Sequence, residues 1–448
     1  MTTTSPLVGA PLGRTMFRLA VPGVIGALLF SSPALVEATF LKSAGADALA
    51  AVALVFPLII LAGMFSAGAI GGAISGRTAR AMGAGDHREA SAVLVCAVLI
   101  SLVGGVVMWL LVVQLGPYLY NYASDSQSVT NAAQRYAALV FPAIPAYWLV
   151  NMLCSVLRGN GDMKRPALVA GVMLLSYIVF AAMLIPGEGS TIEEAIPAAA
   201  YTMIASYCVA LLAAVYFIGQ RNQPIRFLPG AFRWATLTGI LKQGLLAASQ
   251  SMMTIVYALV TTLLFGRFGT DWLAGFGLAV RLELIMVPVI FGIGASIIAI
   301  VGAYVGAGQR RAAISIAWRG VLINTVIVGC VGLLFSLFPG TWCGLVGSDA
   351  TVIDNCSQSL RVVAPTYALF ALGLGCYFAS QGLNTLQFPV LGAFFRLLIV
   401  ASGLFWVSQA TPVVYALYLV ACAVVVYGLF VALALRYGPW RQTGTSYS

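Results

Sequence analysis

The chain has 448 residues, of which 61% are hydrophobic and only 8% charged, with a formal net charge of +10 and a mean hydropathy of +0.99. A soluble globular domain carries about 25% charged residues, and no water-soluble fold of this length hides so much apolar surface. The positive balance does not mark a nucleic-acid binder either, because the basic residues form no single patch and fall in short clusters between apolar runs, as in membrane topology.

Twelve apolar runs follow one another along the chain, at roughly 16–41, 47–76, 91–114, 133–157, 166–186, 195–218, 244–266, 273–304, 313–338, 353–379, 389–408 and 411–435. Each is long enough to cross a bilayer as a helix, which takes about 20 residues. Barrel strands would be shorter and alternate with period two. Continuous runs predict helices, which satisfy their backbone hydrogen bonds internally. The polar opening stretch has no cleavable-leader pattern, so the first run is expected to remain as a span.

With the N-terminus placed in the cytosol, 17 of the 23 Lys and Arg residues fall on the inner side, Arg14, Arg77, Arg80, Arg158, Arg221 and Arg310 among them. Lys42, Arg135, Arg267 and Arg361 fall outside, and Arg281 and Arg396 lie within spans. This positive-inside asymmetry predicts a multi-pass protein of the plasma (inner) membrane with both termini cytosolic.

The two halves repeat one another at a spacing of 223–224 residues. Gly45-Ala46-Asp47 answers Gly269-Thr270-Asp271, Gly83-Ala84-Gly85 answers Gly306-Ala307-Gly308, Pro142 answers Pro365, and Gly159 and Pro166 answer Gly382 and Pro389. Loop glycines and prolines in constant register mean duplication. An even number of spans per half makes the repeat parallel, with the transport path at or between the halves. The expected fold is an all-α integral membrane protein of twelve transmembrane helices in two pseudo-symmetric six-helix bundles. The first lobe spans 1–218, a cytosolic linker 219–243 and the second lobe 244–448.

Eight scattered cysteines and the single histidine, His87, supply little for a metal centre or for His-based catalysis. Cys343 and Cys356 share one outer loop, and the spacing leaves open whether they pair. There is no GxxxxGK[ST] loop, so an ion gradient is the expected energy source rather than ATP. No cofactor and no metal are expected beyond H⁺ or Na⁺ as coupling ion.

The chain resembles the multidrug and toxic compound extrusion (MATE) transporters over nearly its whole length. The residues that carry the likeness are Leu19-Ala20-Val21-Pro22, Val36-Glu37-Ala38-Thr39, Gly45 through Ala53, Leu157 through Asp162, Gly277 through Glu283 and Gly306 through Gln309. The resemblance implies ion-coupled export of organic, cationic amphipathic compounds by alternating access. Two departures stand out. The family usually has Asp where this chain has Glu37, and many members carry Asn and Asp on span five, where this chain offers only Ser176 and Tyr177 as polar groups.

Ionisable groups inside spans need a reason, at a cost of at least ~2.5–3.5 kcal/mol each at mid-bilayer. Glu37 lies near the outer end of span one. It is either a carboxylate reaching to the outer interface near Lys42 or a proton carrier facing the first lobe's cavity. Pro33, one turn before it, frees the carbonyl of Leu29 and lets the helix bend. Glu283 lies deep in span eight, with Arg281 two residues away on a different face. It either pairs structurally, for example with Arg396, or receives a substrate cation or a coupling ion. The candidate set is therefore Glu37 and Glu283 for ion coupling, and Glu283, Arg281, Asn151, Gln250, Tyr257 and Met253 for substrate. Asn151 resembles a family asparagine on span four. Asn151, Gln250, Tyr257 and Gln381 are otherwise accounted for by interhelical hydrogen bonds, and Met252, Met253 and Met286 by packing. Asp47 and Asp271 read as helix-start residues.

The expected protein is a monomeric exporter in the lipid bilayer that takes small organic cations, with no nucleic-acid partner and no enzyme activity. The rival within the same superfamily is a flippase for lipid-linked precursors, which would line its cleft with several cations for phosphates. Only Arg281 and Arg396 are available for that in the sequence.

Overall fold

The computed structural model describes residues 5–187, 190–220, 224–347 and 349–441. Arg221, counted above on the inner side, lies outside them. The described residues contain no β-strand. Twelve helical segments are long and apolar enough to cross a membrane: α1 Leu12–Ala44, α2 Ala46–Gly83, α3 His87–Ala123, α4 Gln127–Gly159, α5 Lys164–Leu184, α6 Ile192–Gly219, α7 Trp234–Gly266, α8 Thr270–Gly306, α9 Arg310–Leu337, α10 Ala350–Leu383, α11 Gln387–Trp406 and α12 Val413–Tyr437. All twelve expected spans are there. Several helices run past their apolar stretches. α7, for instance, begins at Trp234, about ten residues before the apolar run, so Lys242 of the expected linker sits on a helix.

Polar residues at the ends set where the helices start. Asp86 accepts from the backbone N–H of Glu89 at the start of α3, Ser126 from Val129 on α4, and Asp349 from Thr351 and Val352 on α10. Thr191 and Glu194 cap each other's backbone at the start of α6. Each such cap satisfies N–H groups that have no partner within the helix.

The repeat extends to backbone angles. Gly45 and Gly269, just before α2 and α8, have φ of +95° and +100°. Gly161 and Asn384, 223 positions apart in the sequence, also share positive φ, at +82° and +60°. Phe141–Ala143 and Ala364–Thr366, holding Pro142 and Pro365, are both one turn of 3₁₀ helix inside their span. One feature is not duplicated among the described residues: α2 contains a π-helical stretch, Met64–Ile70, that α8 lacks.

Two apolar cores result, one per lobe. Leu7 and, at the start of α1, Met16 and Leu19 join the core of the second lobe. The lobes meet through α1, α2, α7, α8 and α10, while the part of α2 before its π stretch and the second part of α1 pack mainly within their own lobe. The contacts across the seam cluster in the half that carries the termini. A Cβ on Gly83 would stand 2.0 Å from the carbonyl oxygen of Ala303, and one on Gly306 would stand 1.9 Å from that of Arg80. Only glycine lets these backbones approach so closely. Arg80 seals the same place by donating to the carbonyls of Gln381 (3.0 Å) and Gly382 (2.9 Å). Glu89 ties the end of the linker to the first lobe, accepting from Arg77 (2.8 Å), Arg233 (3.2 Å) and Thr236 (2.9 Å).

On the opposite face the short helix Pro339–Val346 is joined to α10 by a disulfide between Cys343 and Cys356, whose Cα atoms are 6.0 Å apart. The pairing left open by the sequence is thereby made.

Candidate functional site

α1 breaks where the sequence places Pro33. One α-helical stretch ends at Ser31 and the next begins at Pro33. The carbonyl of Leu29, which loses its normal partner to the proline, instead accepts from Ser32 N–H at 3.4 Å. The break turns the last two turns of α1 into the first lobe, and Glu37 goes with them.

Glu37 is 2% exposed and is the only fully buried carboxylate among the described residues. It is turned inward, away from the interface, and among the described residues it is in no ion pair within 4 Å. Tyr136 Oη of α4 donates to Glu37 Oε1 at 2.5 Å. Tyr177 of α5, also fully buried, brings its hydroxyl beside the same carboxylate without completing a hydrogen bond. Tyr207 of α6 lies within electrostatic reach of it, and the Tyr207 ring stacks on Tyr147 with centroids 4.8 Å apart. One turn beyond Tyr147, Asn151 Nδ2 donates to Ser66 Oγ at 2.9 Å, and Ser66 belongs to the π stretch of α2. The Asn and Asp expected on span five of a MATE transporter are thus replaced by tyrosines from three helices.

The π stretch also faces the other way. The Gly68 carbonyl accepts from Gln381 Nε2 (3.0 Å) and Tyr377 Oη (3.4 Å), both on α10 of the second lobe. Such stretches are often found at functional sites because they re-aim backbone groups out of the helical ladder. Beside it Arg158, which the sequence places at an inner span end, is 7% exposed. It donates to Ser155 Oγ (2.9 Å), lies 5.5 Å from the ring of Phe291 across the seam, and borders two small cavities there.

The second lobe holds a separate polar cluster. Arg396 of α11 is 3% exposed. Its guanidinium carbon lies 4.3 Å from the ring centre of Tyr257, 5.2 Å from Tyr427 and 5.6 Å from Phe370. Gln250 donates to Tyr427 Oη at 3.2 Å. Glu283, half-buried on α8, has Arg396 as its charged neighbour, but the two are not paired within 4 Å. The ion pairs among the described residues are Arg77–Glu89, Arg165–Asp162 and Arg233–Glu89, all away from this cluster.

The structure therefore splits the candidate set. Glu37 and Asn151 belong to the first lobe's tyrosine cluster, and Gln250, Tyr257 and Glu283 to the polar cluster around Arg396. Met253, half-buried, is on α7 near Thr254. Arg281 joins neither group: it is exposed on α8 and in no ion pair among the described residues. Tyr136, Tyr147, Tyr207, Tyr427 and Phe370 were not singled out by sequence, because an aromatic residue in an apolar helix reads as packing. For the four tyrosines the usable signal was the phenolic hydroxyl, which needs a partner when buried; Phe370 carried none.

Two six-helix lobes that touch along one half of their seam, with buried charge in each lobe, define a polytopic membrane transporter. Residues 22–183 and 247–407 match the MatE family model. The chain belongs to the MatE family of multidrug and toxic compound extrusion transporters. It is 23% identical over 399 residues to a protein of Shewanella oneidensis named FAD transporter, covering 86% of this chain and 84% of that one. It is 22% identical over 288 residues to a probable multidrug resistance protein NorM of Thermotoga maritima, covering 64% and 62%. The fold matches a solved multidrug resistance MATE family transporter of the MOP superfamily in an outward-facing conformation, with TM-score 0.85 and 21% identity over 98% of this chain and 99% of that one.

Proposed function

We propose that this protein is a plasma-membrane antiporter that exports organic compounds in exchange for protons, with Glu37 as the coupling group and both termini in the cytosol. The observation that carries the reading is the carboxylate of Glu37, buried inside the first lobe on a hydroxyl donor and, among the described residues, without a basic partner within 4 Å. Burying a charge without an ion partner favours the neutral form of a carboxyl group, and a proton is the simplest ligand that neutralises it. The neighbours of Glu37 also favour H⁺ over Na⁺. Tyr136 points a donor at the carboxylate, where a metal cation would need further oxygen lone pairs.

Helix α1 connects this group to the seam. Glu37 lies beyond its break, while Gly23, before the break, packs against Gly292 of α8, where an added Cβ would stand 2.7 Å from the Gly292 carbonyl. Protonation of Glu37 changes its preference for the Tyr136 contact, and a change in the angle at Ser32–Pro33 passes to the lobe interface. A ligand shifts such an equilibrium only by its differential affinity for the two states. In the second lobe Glu283, a half-buried neighbour of Arg396, suits the cationic part of a substrate.

The reading is tested in inside-out vesicles with ΔpH and Na⁺ gradients imposed separately. Uptake driven by ΔpH alone is expected. Uptake that needs Na⁺ and ignores ΔpH overturns the proton assignment.

A further inference from the structure

Arg396 holds more hydrogen-bonding capacity than its surroundings use. A guanidinium presents five N–H donors in a planar fork. Among the described residues one hydrogen bond is made, from Nη2 to Thr254 Oγ1 at 3.3 Å. Nε is enclosed and without a partner. The rings of Tyr257, Tyr427 and Phe370 stabilise the positive charge through their faces, but they supply no lone pairs in the plane of the fork. Glu283 has the right charge and is not within ion-pair distance. Gln250 repeats the pattern with the opposite sign: its Oε1 is buried without a donor. The cluster is not wholly buried, since Thr254, Met253 and Glu283 beside it are half-buried. A buried cation with open donors is costly in an apolar lobe, and a planar fork is the shape that takes a carboxylate or phosphate in two parallel bonds.

We propose that Arg396 is the receptor for an anionic group, carboxylate or phosphate, on an aromatic substrate. Tyr257 and Phe370 meet the ring, and Glu283 is the opposite pole that takes a cationic group where the substrate has one. The inference rests on the transport reading and deepens it, naming acidic and zwitterionic aromatic compounds as the substrate class. Glu283 competes with such a ligand for Arg396, which gives its removal a definite sign.

The test is equilibrium binding to the purified protein in detergent, with no gradient present. The probes are naphthalene-2-carboxylate, its uncharged carboxamide and 2-naphthyl phosphate, followed by calorimetry. In the wild type at least one anion is expected to bind about tenfold or more tightly than the carboxamide, as charge-assisted bonds to a buried arginine allow. The better of the two anions identifies the group. Arg396→Gln is expected to bring the anion down to the carboxamide, and Glu283→Gln to raise anion affinity several-fold with the carboxamide unchanged. Equal affinity of the three probes in the wild type overturns the proposal, as does a preference that survives Arg396→Gln. If Arg396→Gln does not fold, Glu283→Gln decides alone: an unchanged ratio of anion to carboxamide places the anion elsewhere and refutes the site. Because binding needs no gradient, Glu37→Gln is expected to keep the preference. Failure of coupled transport with the preference intact then counts against the coupling reading only, and loss of the preference in the wild type counts against Arg396 only.

Discussion

Tyr136 Oη donates to Glu37 Oε1 at 2.5 Å, joining α4 to the broken end of α1 inside the first lobe. The two residues are 99 positions apart in the chain, and both are buried. The bond gives the carboxylate its one completed hydrogen-bond partner among the described side chains.

Tyr136→Phe removes that donor and keeps the ring. The carboxylate oxygen is then buried without a partner, at a cost of about 1–3 kcal/mol. A lowered melting temperature and slowed transport are expected, while Tyr136→Phe combined with Glu37→Gln should recover part of the stability. Thermal unfolding of the single and double variants measures this, and equal melting temperatures for wild type and Tyr136→Phe would show that the bond does not hold Glu37.

The seam is predicted to depend on its glycines. Gly83→Ala sets a Cβ against the backbone carbonyl of Ala303, where no rotamer change relieves the clash. The lobes must part on the side of the termini, so the closed seam loses population and turnover falls. Spin labels on the two lobes at that face should report longer distances in the variant; unchanged distances would mean that the seam tolerates the methyl group.

Orientation follows from the disulfide as well as from charge. Disulfides persist in oxidising compartments, so the face with Cys343–Cys356 is expected outside the cell. A cysteine introduced at Ser190 should react with an impermeant maleimide added to whole cells, and one at Gln309 should not; the reverse pattern inverts the topology. Cys343→Ser removes this bridge, and opening the loop of about 15 residues that it closes is expected to lower stability by about 3 kcal/mol.

The backbone plan was legible in the sequence because punctuation residues dictate it. Gly45 and Gly269, Pro142 and Pro365, and Pro33 each force one local geometry whatever the packing around them, and each does so here. Side-chain partnership was legible only in part. Glu37, Asn151, Gln250, Tyr257, Glu283 and Arg396 stand out as polar groups in apolar runs, but which of them meet depends on helix rotation, which twelve uniformly apolar spans barely encode. Hence Tyr136 and Tyr207 were not linked to Glu37, and Arg158 read as an inner-side cation at a span end although it is buried at the seam. The π stretch Met64–Ile70 has no marker in composition or period.

Glu283 and Arg396 are neighbours without forming an ion pair, so Glu283→Gln breaks no completed bridge. Its melting temperature should stay close to that of the wild type, whereas loss of one partner from a buried pair costs about 3–5 kcal/mol. A large drop in thermal stability would instead assign Glu283 a structural role.

The role of Glu37 is most directly tested by transport in inside-out vesicles carrying wild type, Glu37→Asp or Glu37→Gln at matched folded yield. Under an imposed ΔpH with no Na⁺, wild type should accumulate substrate, Glu37→Asp should retain accumulation, and Glu37→Gln, which cannot exchange a proton, should show none. Full ΔpH-driven accumulation in Glu37→Gln would contradict the assignment of Glu37 as the coupling group.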